Sequence, residues 1–507
     1  MLRFLRSSAL TLCLLATAAQ ADLTSEDLWV EWRDYASSVG YEISAREVPD
    51  TGGLTLHNLS MRMDLELISV SSTVKIKMGT VRFDENADGS VSVVLPHNFD
   101  IEVRIRPEIG ENMSFSVGTA LTAPVFTAAG DPGSVSYDFE ASSLDMAMRD
   151  LTFDGITLGP QLSAVNLSLQ NPAYVMQSVQ GRLRKIDQSS SAETASYQIN
   201  FTDPTSDETF KMKGQMQNVT FEGGGVLTDG ADWDDIDAML SAGLEVGGTY
   251  TTTGATSELT VRTDIGSGIV NTSSEGSQMV AKIGRAGIAY STIQRGVTIN
   301  ALMTDLPLPL SFGADEVSTN FLLPLQKRDG PQGFGIGFAL NGLTISDVIW
   351  GMLDPTAQLP RDPINLIFDL TGTAKLLFDF LDPDQGEIIA ETGAFPGQLN
   401  SLALNALEVK AAGAELTGQG AFTFDNADLI PFYGMPRPEG AMDLTLLGGN
   451  GLLDTLVDTG LVPPDAAMGT RMMMGLFSVP GEGEDTLNSR IEMNAQGHVL
   501  VNGQRLR

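Results

Sequence analysis

The feature that most constrains this chain is a hydrophobic period of two that keeps returning. Val91, Val93 and Leu95 fall on one face of an extended segment. So do Ile101, Val103 and Ile105, with Glu102, Arg104 and Arg106 on the other face. Val135, Tyr137 and Phe139 repeat the pattern, then Leu144, Met146 and Met148, followed by Leu151 and Phe153. Successive strand side chains point to opposite faces, so alternation of this kind predicts half-buried strands. The segments recur about every 10 to 15 residues, with Gly, Asn, Asp or Pro between them. Asp88-Gly89, Asp131-Pro132-Gly133, Asp154-Gly155 and Asp382-Pro383-Asp384-Gln385-Gly386 carry turn chemistry. The expected fold is mainly β (α+β): long antiparallel meandering sheets with a few short helices.

The helices announce themselves by a change of period. Leu28, Trp32, Tyr35 and Val39 have helical spacing behind a Thr24 cap, with Glu26 and Asp27 in the first turn and Gly40 as a stop. Asp232 to Leu240 reads as a short acidic-capped helix. Gly342 to Trp350 reads as a strand-to-helix passage closed by Asp354-Pro355. Leu452, Leu453, Leu456 and Val457 precede a Pro463-Pro464 break. A second helix follows with Met468, Met472, Met473, Leu476 and Phe477, so a C-terminal helical hairpin packed on the sheet is expected. Strands return from Glu492, with turns near Gln496-Gly497 and Asn502-Gly503.

The first 21 residues read as a signal peptide: Arg3 and Arg6, an apolar run from Ala9 to Ala18, then Ala19-Gln20-Ala21. Cleavage after Ala21 would start the mature chain at Asp22 and take the formal charge from −34 to −36. It would also remove Cys13, the single cysteine, and with it any disulfide or thiolate chemistry. Leu12 is too large for a lipoprotein cleavage site. No later stretch reaches the ~18 uncharged apolar residues of a membrane helix. The expectation is a periplasmic protein without a transmembrane segment in the mature chain. Two regions are expected within it, 22–228 and 229–507, divided at the glycine run Gly223-Gly224-Gly225, which reads as a linker.

The 507 residues carry 64 acidic and 30 basic side chains, which repels nucleic-acid phosphate. With 42 % hydrophobic residues the chain can bury a core, which excludes intrinsic disorder despite the charge. Asp84-Glu85-Asn86-Ala87-Asp88-Gly89 matches the first half of a calcium loop, but its twelfth position is Leu95, and an acidic hairpin loop explains it. His57, His97 and His498 are far apart and are read as isolated. No G-x-S-x-G elbow accompanies the serines, and Gln188-Ser189-Ser190-Ser191 reads as a mobile loop. No Walker loop follows the glycine run. No catalytic residue, metal ligand or cofactor is assigned, and ligand-binding residues are not identified.

Gly333 to Leu340 sets Phe334, Ile336, Phe338 and Leu340 on one face and chiefly Gly on the other. Bare backbone on a strand face predicts close approach by a second sheet or a ligand, with Phe338 in the core. The methionines Met468, Met472, Met473 and Met474 would give an adaptable apolar surface or ordinary packing.

Trp29-Val30-Glu31-Trp32 with Gly40-Tyr41-Glu42 resembles the start of domain-of-unknown-function family 2125. Ile345 to Met352 through Leu359-Pro360-Arg361-Asp362-Pro363 is similar to its middle, as is Ala411 to Gly418 with Phe422 to Asn426. Val501 to Leu506 is similar to its end. The resemblance implies an exported protein of Gram-negative bacteria with no assigned activity. The C-terminal region also loosely resembles the ends of AsmA-type envelope proteins, the one pointer toward lipid handling. Three functions are weighed. The first is a non-enzymatic envelope protein holding a lipid or other apolar ligand on a sheet face. The second is a scaffold binding an envelope protein. The third is a hydrolase using carboxylates or a divalent ion.

Overall fold

The structure is a computed structural model that describes residues 23–67, 70–107, 110–159, 162–203, 205–206, 208–228, 235–304, 306–382, 385 and 397–506. Residues 1–22, and with them the expected signal peptide, lie outside the described residues, as does most of 382–386.

Five helices are described: α1 (Ser25–Ser38), α2 (Ile236–Ala242), α3 (Asp347–Leu353), α4 (Gly449–Asp458) and α5 (Pro464–Phe477). Between α1 and α2 come β1 (Glu42–Asp50), β2 (Gly53–Leu67), β3 (Val70–Glu85), β4 (Val91–Val94) and β5 (Asn98–Pro107). They are followed by β6 (Met113–Thr122), β7 (Val125–Asp131), β8 (Ser134–Glu140), β9 (Ser143–Phe153) and β10 (Ile156–Thr157). This stretch ends with β11 (Ser163–Gln170), β12 (Ala173–Val179), β13 (Arg184–Thr202) and β14 (Thr209–Leu227). After α2 come β15 (Glu245–Thr252), β16 (Gly254–Thr263), β17 (Gly266–Ser274), β18 (Gly276–Gly284) and β19 (Gly287–Met303). Next are β20 (Leu306–Leu323), β21 (Gln332–Ile345), β22 (Ile364–Leu376), β23 (Gly397–Ala411), β24 (Ala414–Asp425) and β25 (Arg437–Leu447). The chain closes with β26 (Val479–Pro480), β27 (Thr486–Met493), β28 (Val499–Val501) and β29 (Gln504–Arg505).

These strands form one 29-stranded hydrogen-bonded sheet. From β1 the antiparallel ladder runs through β2 to β3, where it forks. One branch goes by β4, β7, β8 and β12 to the first half of β13. The other goes by β5, β6, β9 and β11 to its second half. β13 and β14 pair along their length, and the ladder forks again through β15 and β18 or through β16 and β17, rejoining at β19. Beyond β20 it continues in single file to β25, β27, β28 and β29.

A crease divides the branches. Long strands cross it with one residue in the left-handed region: Gly79 in β3 at φ 77°, Asn218 in β14 at 46° and Gly296 in β19 at 56°. Asn tolerates this region better than other non-glycine residues. The Asn218 amide donates to Thr253 Oγ1 at 2.7 Å, in the β15–β16 turn, which fixes the bend. Across the crease Tyr250 Oη donates to Met216 Sδ at 3.0 Å, so apolar side chains of the two branches meet there.

α1 and α2 cover the first branch. Thr24 and Asp27 form a reciprocal capping box at the start of α1, as the sequence predicts. Leu28 and Trp29 of α1 then pack with Leu56, Phe83, Val135, Ile186 and Leu240 in the main buried cluster. Asp235 caps α2 through Ala238 N at 2.8 Å; Asp232 to Asp234 lie outside the described residues. On the rest of the sheet only α3 and the two C-terminal helices are described against the strands. The chain exposes 29218 Å² of surface, where a compact chain of 54.0 kDa would expose about 18,000 Å².

Two segments depart from expectation. Gly223 to Gly225 are no linker: they lie inside β14, paired with β13 on one side and β15 on the other. An added Cβ at Gly225 would stand 2.1 Å from Glu245 O, so the run permits close strand approach. Gln188 to Ser191 are no loop either. They sit in β13 between β12 and β14, because ladder hydrogen bonds on both sides outweigh a polar sequence.

Candidate ligand-binding face

Residue alternation and register together build one continuous apolar face over β20–β27. Val317, Leu340, Leu366, Val409, Leu416, Leu446 and Leu487 form a cross-strand row without a polar member. The next row is Thr319, Phe338, Phe368, Leu407, Gly418, Leu444 and Ser489. The third is Phe321, Ile336, Leu370, Leu404, Gly420, Met442 and Ile491. The glycines do not interrupt the surface: Leu444 and Leu407 lie over Gly418, and the Phe334 ring lies over Gly372. The opposite face is more polar, with Ser318, Ala339, Ile367, Glu408, Thr417, Thr445 and Asn488 in one row.

No large side chain of these three apolar rows is buried; Ile336 is 52 % exposed and Phe338 39 %. Phe338 is therefore not core, which corrects the sequence expectation. The glycine side of β21 is closed by its own neighbours: an added Cβ at Gly337 would meet Asn320 Nδ2 at 2.4 Å. No second sheet packs there among the described residues. The vacant surface is the aromatic side of β21.

This face is continuous with the buried core. Val246 and Ile283, both packed on the main cluster, share a row with Ile288 and Leu323. Tyr290 and Phe321 stack beside that row, ring centroids 5.4 Å apart. α1 and α2 cover the face at one end, and it lies open from β20 until the C-terminal helices meet it at β24–β27.

The C-terminal helices border the far end. Ala467 is buried, and Ser489 Oγ donates to Phe477 O at 2.6 Å, tying α5 to β27. Asp485 accepts from Gly451 N at 2.9 Å and Asn450 Nδ2 at 2.8 Å, fixing the start of α4. Burial works to raise the Asp485 pKa, but these donors outweigh it and hold the carboxyl below its ordinary value. Met468, Met472 and Met473 point outward and are exposed, while Met474 is half-buried.

The remaining candidates are placed as follows. Asp84 and Glu85 end β3 and Asn86 to Gly89 form the β3–β4 turn; Asp84 pairs with Arg82, and Asp88 Oδ1 accepts from Ser90 N at 3.1 Å and Ser90 Oγ at 2.6 Å. These donors hold the Asp88 carboxyl below its ordinary value. His57 Nδ1 meets Thr80 Oγ1 at 3.3 Å, His97 Nδ1 meets Leu121 O at 3.2 Å, and His498 N donates to Asn494 at 3.1 Å. Among the described residues no three His, Cys, Asp or Glu converge as metal ligands. A concavity of about 920 Å³ with a mixed lining crosses β6 to β19 on the second branch, bordered by Asn166, Gln198, Met146, Leu167 and Tyr197 and crossed by the Lys213–Glu258 pair at 2.9 Å.

The sequence did not mark one buried group. Glu31 of α1 pairs with Arg184 of β13, and both are buried. Ser178 Oγ donates to Glu31 at 2.9 Å, and the Arg184 guanidinium lies over the Tyr35 ring at 5.7 Å. Burial, then the nearby Glu31 charge, raises the Tyr137 pKa well above the ordinary phenol value; burial pushes Tyr174 up to about 12. The effect of this cluster is to pin α1 to the sheet.

Among the described residues no helix is long and apolar enough to cross a membrane. No known protein family matches the chain, and no curated protein matches it, so no residue role is carried over from a relative.

Proposed function

We propose that this is a non-enzymatic, exported envelope protein that holds the acyl chains of a lipid on the open apolar face of β20–β27. One observation carries the reading: three adjacent rows across seven strands are almost wholly apolar, and no large side chain in them is buried. Apolar patches beyond a few hundred Å² on soluble proteins generally mark a binding surface. The ladder occupies the backbone N–H and C=O groups of the inner strands, so the face offers few hydrogen-bonding groups. A hydrocarbon chain loses nothing there, whereas a protein partner would bring polar groups without counterparts.

The test is native mass spectrometry of the mature protein purified from its own envelope. A co-purifying lipid, with an N-terminus at Asp22, supports the reading. Protein that carries no lipid and takes none from vesicles overturns it and leaves the interaction scaffold as the better account.

A further inference from the structure

At this end of the sheet three cations and three carboxylates share one cavity. Arg285 lies in the β18–β19 turn, two residues after Ile283 and three before Ile288. Lys327 and Arg328 follow β20, four and five residues after Leu323. Ile283, Ile288 and Leu323 are the apolar row that leads from the core to the open face. The three cations line one cavity of about 350 Å³. Arg328 also lines a second cavity of about 290 Å³ that reaches Leu322 and Gly333 on the opposite, glycine side of the sheet.

These cations lack partners. Arg328 Nη2 is buried without a hydrogen-bond acceptor. Among the described residues neither Arg285 nor Lys327 has an ion-pair partner. Three carboxylates share the cavity, and two of them accept hydrogen bonds from neighbouring neutral groups. Asp237 Oδ1 accepts from Gln326 Nε2 at 2.7 Å, and Asp379 Oδ1 accepts from Leu381 N at 3.0 Å. Asp329 is exposed at the rim. A buried guanidinium nitrogen without an acceptor is costly, and a bound anion is the simplest remedy. Phosphate suits three converging cations best, because its oxygens can accept from several guanidinium and ammonium groups at once.

We propose that Arg285, Lys327 and Arg328 form a phosphate-binding cradle that takes the headgroup of a lipid whose acyl chains lie on the adjoining apolar face. The inference rests on the lipid reading above and narrows it to phosphate-bearing lipids.

The test uses the mature full-length chain and vesicles doped with fluorescent phosphatidylglycerol or with diacylglycerol of the same acyl chains. We expect extraction of phosphatidylglycerol at least tenfold above diacylglycerol. Arg285→Gln/Lys327→Gln/Arg328→Gln should bring the two to parity by loss of phosphatidylglycerol alone. If the triple variant does not fold, Arg285→Gln, in an exposed turn, should still lower the ratio. Equal extraction of both lipids by the wild type, unchanged in the variants, overturns the cradle and leaves the apolar face. A second arm measures the melting temperature with inorganic phosphate. Stabilisation of the wild type but not the variant, with no lipid extracted, supports the cradle for free phosphate and overturns the lipid headgroup. No extraction and no phosphate effect overturns both.

Discussion

Glu31 and Arg184, 153 residues apart in the chain, form an ion pair whose side chains are 4 % and 3 % exposed. Ser178 Oγ completes it by donating to Glu31 and accepting from Arg184 Nη1 at 2.6 Å. The pair joins α1 to β12 and β13, so the first helix is anchored to strands formed much later in the chain. Arg184→Ala leaves a buried carboxylate without its cation and should cost about 3–5 kcal/mol. The double variant Glu31→Leu/Arg184→Met should recover much of that loss. Chemical denaturation of the wild type, the single variant and the double variant checks it; equal losses in the single and double variants would contradict the account.

The apolar face can be separated from stability. Leu404 and Leu407 of β23 lie in the middle of the open rows and are only half-buried. Leu404→Asp/Leu407→Asp should therefore keep the native circular dichroism and most of the stability, since substitutions away from a packed core rarely cost much. Uptake of a fluorescent fatty acid should fall at least tenfold. Undiminished uptake by the folded variant would place the binding surface elsewhere.

Glycines that look alike in the sequence should differ in tolerance. At Gly337 the obstacle to a Cβ is the Asn320 amide, a side chain that can swing aside, and Gly337→Ala should cost less than about 1 kcal/mol. At Gly225 the obstacle is the Glu245 carbonyl oxygen at 2.1 Å, which is backbone, and Gly225→Ala should cost about 1–3 kcal/mol. Urea midpoints of the two variants give the order; the reverse order would refute it.

Acid should weaken the protein through Asp354 and Asp485. Hydrogen bonding from Leu359 N holds the Asp354 carboxyl below its ordinary 3.8, and the donors at the start of α4 do the same for Asp485. A depressed folded pKa means the unfolded chain binds protons first as pH falls. The stabilisation is thus complete above about pH 4 and is lost as pH drops through the folded pKa. Asp354→Asn should start less stable at pH 6 and show a shallower acid limb. An acid limb as steep as the wild type's would exclude Asp354 as a contributor.

Strand-by-strand, much of this protein is legible in its residues. Val91 to Leu95 and Ile101 to Ile105 alternate because one face of each is apolar, and that alternation survives into β4 and β5. Thr24 and Asp27 announce the first helix because capping is local chemistry. The misreadings have one origin. Gly223 to Gly225 and Gln188 to Ser191 carry loop composition, yet partners on both sides hold them extended. Phe338 has core composition, yet no second layer arrives to bury it. The Glu31–Arg184 pair and the Arg285, Lys327 and Arg328 cavity were invisible because their members are distant in sequence and no periodicity links them.

The sequence by itself determined the antiparallel strands, the capped first helix and the late helix pair, since period, turn residues and caps act over a few neighbours. Tertiary structure decided the rest: which strands fork and rejoin, where Asn218 and Gly296 crease the sheet, and which apolar face is left open. Alternation says that one side of a strand is apolar. Whether that side is buried depends on whether another layer covers it. Here α1 and α2 reach only the first branch, so Leu366, Leu404 and Leu416 keep an exposed surface that their spacing alone would have assigned to a core.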